Sequence, residues 1–173
     1  MATTLTGGLN PLTGLLLAFA GGVSAGFVTA AIHNRLKVPH LLAGILTMTM
    51  LYSVNIRILG NRANLPLLRV DTIITRVADL SHGLIPADWA ALAFFVLVVA
   101  AIKFGLDLFF HTDMGLVFGA LGNNEQMVKV QGVNPATLKL IGVGLSNGLV
   151  ALSGAFAAQY QGFADVNLGQ GIV

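Results

Sequence analysis

Charge is what this sequence has least of. Only 9% of its 173 residues are charged, against 55% hydrophobic, where soluble domains carry about a quarter charged residues. The mean hydropathy is +0.83. A soluble domain of this length leaves much of its area wet, and that area needs polar atoms this chain does not have. Lipid must therefore cover it. Cysteine is absent altogether, which excludes disulfides, thiolate metal sites and cysteine nucleophiles while leaving the redox compartment undetermined. The nine basic residues are scattered singly. Without a basic stripe, nucleic acid is not an expected partner despite the net charge of +2. No histidine and carboxylate spacing resembles a metal site, and no G-x-x-x-x-G-K-[ST] phosphate loop is present, so no metal or cofactor is expected on this chain.

What the chain does have is long apolar runs. A spanning helix needs about 20 mostly apolar residues, and four segments qualify, near residues 12–32, 38–59, 89–110 and 138–158. The expected fold is all-α, a polytopic transmembrane helix bundle in one domain over residues 1–173. The first run carries a Val23-Ser24-Ala25 triplet that fits a signal-peptidase site, but the positive n-region is missing and the apolar stretch continues to Ile32, which favours a membrane helix. Between the first two spans lie only His33 to Lys37 and then Pro39, a turn that makes them an antiparallel hairpin. The link over 60–88 is longer, and 71–80 within it fits a short amphipathic surface helix. The link over 111–137 is polar and glycine-punctuated, with the Asn134-Pro135 break; its middle, 124–130, holds the helix formers Glu125, Gln126, Met127 and Lys129. Residues 159–173 are glycine-rich and stop as a new apolar run begins, the pattern of a truncated C-terminal segment. Lysine and arginine counts on alternate connectors tie, so charge does not orient the bundle.

Several patterns bear on chemistry. Gly144-Leu145-Ser146-Asn147-Gly148 fits the G-x-S-x-G of a hydrolase elbow, but that motif needs a strand before it, and here it lies inside a span. Gly144, Asn147, Ala151, Gly154 and Ala158 recur at helical spacing as a small-residue packing face, and Gly22-x-x-x-Gly26 repeats the device in the first span. A protease would also need a histidine facing the serine, and His33, His40, His82 and His111 all fall at span ends or in loops. Lys103 and Asp107, four residues apart, share a face of the third span as an intramembrane ion pair; each alone would cost about 2.5 to 3.5 kcal/mol at the bilayer centre. Structural pairing with the heads reaching toward the interface is the simpler reading, and a relay the alternative. In the second span Met48, Tyr52 and Asn55 share a face with Thr47 nearby. Polar groups in a span face protein or a water-filled route, so Thr47, Tyr52, Asn55, Ser146 and Asn147 serve either helix packing or a solute path.

The most specific stretch runs from Phe110: Thr112, Gly115-Leu116, Ala120, Gly122, Asn124-Glu125-Gln126-Met127, Lys129, Gly132-Val133-Asn134, then Leu145-Ser146-Asn147 and Gly154. It resembles the permeases of binding-protein-dependent ABC importers of the branched-chain amino acid and ribose type. Residues 158–167 and 41–49 look like the tryptophan/tyrosine transport permease subgroup. The resemblance covers nearly the whole chain. It departs at Gly119, where the family has arginine, and at Leu121, where it has threonine. Such permeases are also longer at both ends, so the chain is expected to be an internal piece or a degenerate copy. The resemblance implies a membrane-spanning subunit that forms the path of a small solute such as an amino acid and is not itself an enzyme. ATP would be hydrolysed on a separate ATPase, with a substrate-binding protein and a second permease subunit as further partners, in the inner membrane of a prokaryote. It further implies that Asn124, Glu125, Gln126, Met127, Lys129 and Gly132 form the ATPase-coupling loop on the cytoplasmic side, with Arg35 and Lys37 inside and the 60–88 loop outside. The alternative from another class is a fragment of a secondary transporter or channel.

Overall fold

The structure is a computed structural model, and it describes residues 10–67 and 87–167 together with positions 2, 73 and 75. Apart from positions 73 and 75, the surface helix expected over 71–80 lies outside the described residues, as does the apolar restart at 171–173. Among the described residues the order is α1 (Pro11–Leu36), α2 (His40–Ile58), β1 (Asn64–Pro66), α3 (Ala87–Phe110), α4 (Asp113–Asn123), α5 (Glu125–Val130), α6 (Pro135–Gln161) and β2 (Phe163–Asp165). Helices α1, α2, α3 and α6 are long and apolar enough to cross a membrane. The protein is an all-α, multi-pass membrane protein. Residues 1–73 with 140–173 form one compact unit, and residues 74–139 a second.

In the first unit α1 starts on Pro11, a residue pre-set for the first helical position. It runs 26 residues, about 39 Å at 1.5 Å per residue, enough for a hydrocarbon core of about 30 Å. It stops where Lys37 turns left-handed, φ 52°. There His33 Nδ1 lies 2.7 Å from the Val38 carbonyl oxygen, and the His33 and His40 rings stack with centroids 3.4 Å apart. The chain then returns as α2. Across the resulting hairpin Thr29 Oγ1 stands 3.0 Å from Thr47 Oγ1, while buried Thr47 donates to the Ala43 carbonyl at 2.9 Å.

The small-residue faces meet. A Cβ on Gly22 would lie 2.5 Å from Ala151 Cβ and 2.6 Å from the Asn147 carbonyl oxygen; on Gly148, 2.7 Å from Phe19 and Val23. Helices α1 and α6 therefore cross at near backbone contact, which only small residues permit. Of the face read from sequence, Gly144, Asn147 and Ala151 touch α1. Gly154 has open space beside it, and Ala158 is buried against Leu67 instead. Beyond the helix ends β1 and β2 pair antiparallel, Asn64 opposite Asp165 and Pro66 opposite Phe163. This clip fastens the exit of α2 to the exit of α6.

In the second unit α3 leads into α4 through His111 and Thr112 alone. Thr112 Oγ1 accepts from Gly115 N at 3.4 Å and donates to the Phe109 carbonyl at 2.6 Å, and Asp113 places an acid in the positive first turn. Gly115 is buried, and any Cβ there would run into the backbone of Phe109 and Phe110. The rings of Phe109 and Phe118 lie 5.8 Å apart, closing the corner. Read from the sequence, all of 111–137 is connector; the structure corrects this, since 113–123 is a helix of 11 residues.

Candidate functional site

Most of the residues that the sequence marks for coupling sit in one joint. Asn124 ends α4 and begins α5 without a loop. Its backbone is extended (φ −153°, ψ 102°), and its Oδ1 accepts from Gln126 N at 3.0 Å and Met127 N at 3.1 Å. Asparagine is among the best residues for this capping task. Helix α5 ends on Gly132 at φ 85°, whose N–H donates to the Lys129 carbonyl at 3.1 Å, while Val133 N–H donates to the Val128 carbonyl at 3.3 Å. This doubled cap satisfies the last carbonyls and requires a left-handed residue, the conformation glycine enters without steric cost. Asn134 then caps α6 through Ala136 N at 3.0 Å, with Pro135 in the first helical position. Hence α6 begins at 135, ahead of the fourth apolar run, which starts at 138.

The side chains of α5 divide by environment. Val128 is 1% exposed, Met127 56% and Val130 88%; Gln126 and Lys129 are exposed as well. Glu125 is tied inside the chain, its two carboxylate oxygens accepting from Lys139 Nζ at 2.9 and 2.8 Å. Lys139 is the residue that reading the sequence missed: it lies 14 positions on, across a turn whose geometry spacing alone does not supply.

In the first unit the polar face of α2 opens on a cavity of about 520 Å3, within the range of small-ligand sites. Thr47, Tyr52 and Asn55 line it from α2, Thr29 from α1, Asn147 from α6 and Val166 from beyond β2. Asn147 Nδ2 donates to the Val143 carbonyl at 2.9 Å, leaving its Oδ1 and second amide hydrogen unused among the described residues. Polar groups within a membrane span need protein, water or a polar ligand as partners. Thr47 is committed to packing by its two contacts, whereas Tyr52, Asn55 and Asn147 face the space. Ser146 is exposed on α6 and does not line this cavity. In α3, Lys103 Nζ donates to Asp107 Oδ2 at 2.6 Å on an exposed helix face. Among the described residues no group of three or more His, Asp or Glu side chains is placed to hold a metal.

A multi-pass helical protein that has a largely apolar cavity with a few polar groups in one unit, and a capped, exposed short helix in the other, has the form of a membrane permease. The whole chain, residues 1–173, matches the family model described as branched-chain amino acid transport system / permease component, and the chain belongs to that family. It is 42% identical over 171 residues to a tyrosine transport system permease protein of Clostridioides difficile (strain R20291), covering 99% of this chain and 54% of that protein. It is 34% identical over 153 residues to an uncharacterized protein of Rickettsia prowazekii (strain Madrid E), covering 88% of this chain and 51% of that one. The chain thus spans about half the length of the curated relatives it matches. No solved structure matches it.

Proposed function

We propose that this chain is a membrane-spanning permease component of an ATP-driven importer for a small solute such as an amino acid, in the inner membrane of a prokaryote. It works as a pair with a second permease subunit, receives solute from a binding protein, and engages a separate ATPase that binds and hydrolyses ATP. The observation that carries this reading is α5: a six-residue helix, capped at both ends, that presents Met127 and Val130 to the outside within a chain of a permease family. Large exposed apolar side chains on a rigid, otherwise polar turn suit a partner's groove. In this reading the α5 joint faces the cytoplasm and the 60–88 link faces the binding protein. Solute passes by alternating access through the cavity lined by Tyr52, Asn55 and Asn147. The 42% identity to a protein described as a tyrosine transport permease favours an amino acid as cargo.

The test is co-purification of the permease with the ATPase produced alongside it. The unchanged chain retains the ATPase, and Met127→Asp with Val130→Asp releases it while the permease still inserts in the membrane. Retention by the doubly substituted chain overturns the assignment of α5.

A further inference from the structure

We infer that Glu125 and Lys139 form a strut that carries movement of α5 into α6, which makes Glu125 a positioning residue and leaves partner contact to Met127 and Val130. The inference rests on the reading of α5 as the element an ATPase engages.

Helix α5 is tethered to α6 at both of its ends. At its C-terminus the tether is covalent and short: residues 131–134, set by Gly132 at φ 85° and by the Asn134 cap. At its N-terminus the tether is the ion pair, both Glu125 oxygens on one ammonium at 2.9 and 2.8 Å. A body held at two points moves with its support. Without the ion pair its N-terminus is joined only to α4, through Asn124, and a push on its exposed face reaches α6 through the Gly132 turn alone.

The placement of the charges fits this task. Lys139 lies in the second turn of α6, within reach of the N-terminus of α5. Glu125 stands in the first turn of α5, where an acid is favoured. The lysine side chain is also the more enclosed of the two, 21% exposed against 53% for the glutamate, so the pair is anchored on the α6 side. The same helix α6 carries Asn147, eight residues on, at the solute cavity.

The experiment uses the complete transporter, permease with ATPase and binding protein, in proteoliposomes. Glu125→Ala and Lys139→Ala are each expected to keep the ATPase bound and hydrolysing, while solute imported per ATP falls about tenfold, within the usual range of coupling between distant sites. The reversed pair, Glu125→Lys with Lys139→Glu, recovers most of that ratio. Release of the ATPase by either single substitution, or no recovery in the reversed pair, overturns the strut. A second readout needs no ATPase: in the purified permease, amide hydrogen exchange over 125–133 rises in both single variants and no further in the Glu125→Ala, Lys139→Ala double variant. Unchanged exchange also overturns the strut. If instead the unmodified permease binds no ATPase, the reading of α5 as the engaged element fails, and the exchange measurement still decides whether the strut exists.

Discussion

Gly26 of α1 faces Gly144 of α6 so closely that a Cβ on Gly26 would lie 2.7 Å from Gly144 Cα and 2.6 Å from the Val143 carbonyl oxygen. One turn earlier Gly22 meets Ala151 and Asn147 in the same way. Water is not available to drive apolar surfaces together inside a bilayer, so association depends on contact distance and dispersion, and a missing side chain on each helix sets that distance.

Substitution at this crossing should therefore be costly in a position-specific manner. Gly26→Val and Gly22→Val are expected to lower stability by about 1 to 3 kcal/mol, the usual range for overpacking. Gly21→Ala, one residue away with nothing within 4 Å, should be neutral or slightly stabilising. Thermal unfolding of the detergent-solubilised chain checks this, and equal losses at Gly21 and Gly26 would refute the crossing.

The joint around α5 makes a different kind of prediction, because its glycine is there for backbone conformation. Gly132 has no close neighbour but sits at φ 85°, so Gly132→Ala should cost about 1 to 2 kcal/mol from the left-handed backbone alone. Asn124→Ala removes two backbone hydrogen bonds and should cost about 1 kcal/mol. Gly122→Ala, in a helix with open space beside it, should gain about 0.5 to 1 kcal/mol. Exchange rates of the 125–133 amides separate these outcomes: they rise for the first two variants only.

How far the sequence foretold this structure depends on the kind of signal. Hydropathy alone finds α1, α2, α3 and α6, because lipid exposure leaves little choice of residue. Their ends are less visible to it. The fourth apolar run begins at 138, whereas the helix starts at Pro135, where Asn134 Oδ1 caps it by accepting from Ala136 N. Helix α4 is hidden by Gly115, Gly119 and Gly122, which read as punctuation, although Thr112 and Asp113 spell a helix start. At Gly115 the glycine is needed for the close turn against Phe110, and the other two are merely tolerated. The polar face of α2 is visible as a face, but the separation of Thr47 into packing and of Tyr52 and Asn55 onto a cavity requires the positions of α1 and α6. The pairing of Glu125 with Lys139 requires the turn between them.

Thr29 and Thr47 supply a third test. Their hydroxyls meet at 3.0 Å across the α1–α2 hairpin, and interhelical bonds of this kind in membranes are worth about 0.6 kcal/mol, up to about 2. Thr29→Val should lose that amount, Thr47→Val somewhat more because its bond to the Ala43 carbonyl goes too, and the double variant little more than Thr47→Val alone, since both remove the shared bond. Additive losses in a thermal double-mutant cycle would show that the two hydroxyls act separately.

The cavity gives the last prediction, and it depends on the chain acting as a solute path. Tyr52, Asn55 and Asn147 bring polar atoms to a space of about 520 Å3 from two different helices, so a solute crossing it exchanges hydrogen bonds with each in turn. Tyr52→Phe and Asn147→Ala delete one partner apiece. At about 0.5 to 1.5 kcal/mol for a hydrogen bond, each should weaken apparent solute affinity roughly two- to tenfold in uptake assays of the complete transporter. Ser146→Ala, one position along α6 but off this cavity, should leave uptake unchanged. Because Asn147 also bonds the Val143 carbonyl, its variant must be compared at matched thermal stability. A loss in Ser146→Ala equal to that in Asn147→Ala would mean that α6 tolerates no change here, and the cavity would then have no special claim on the solute.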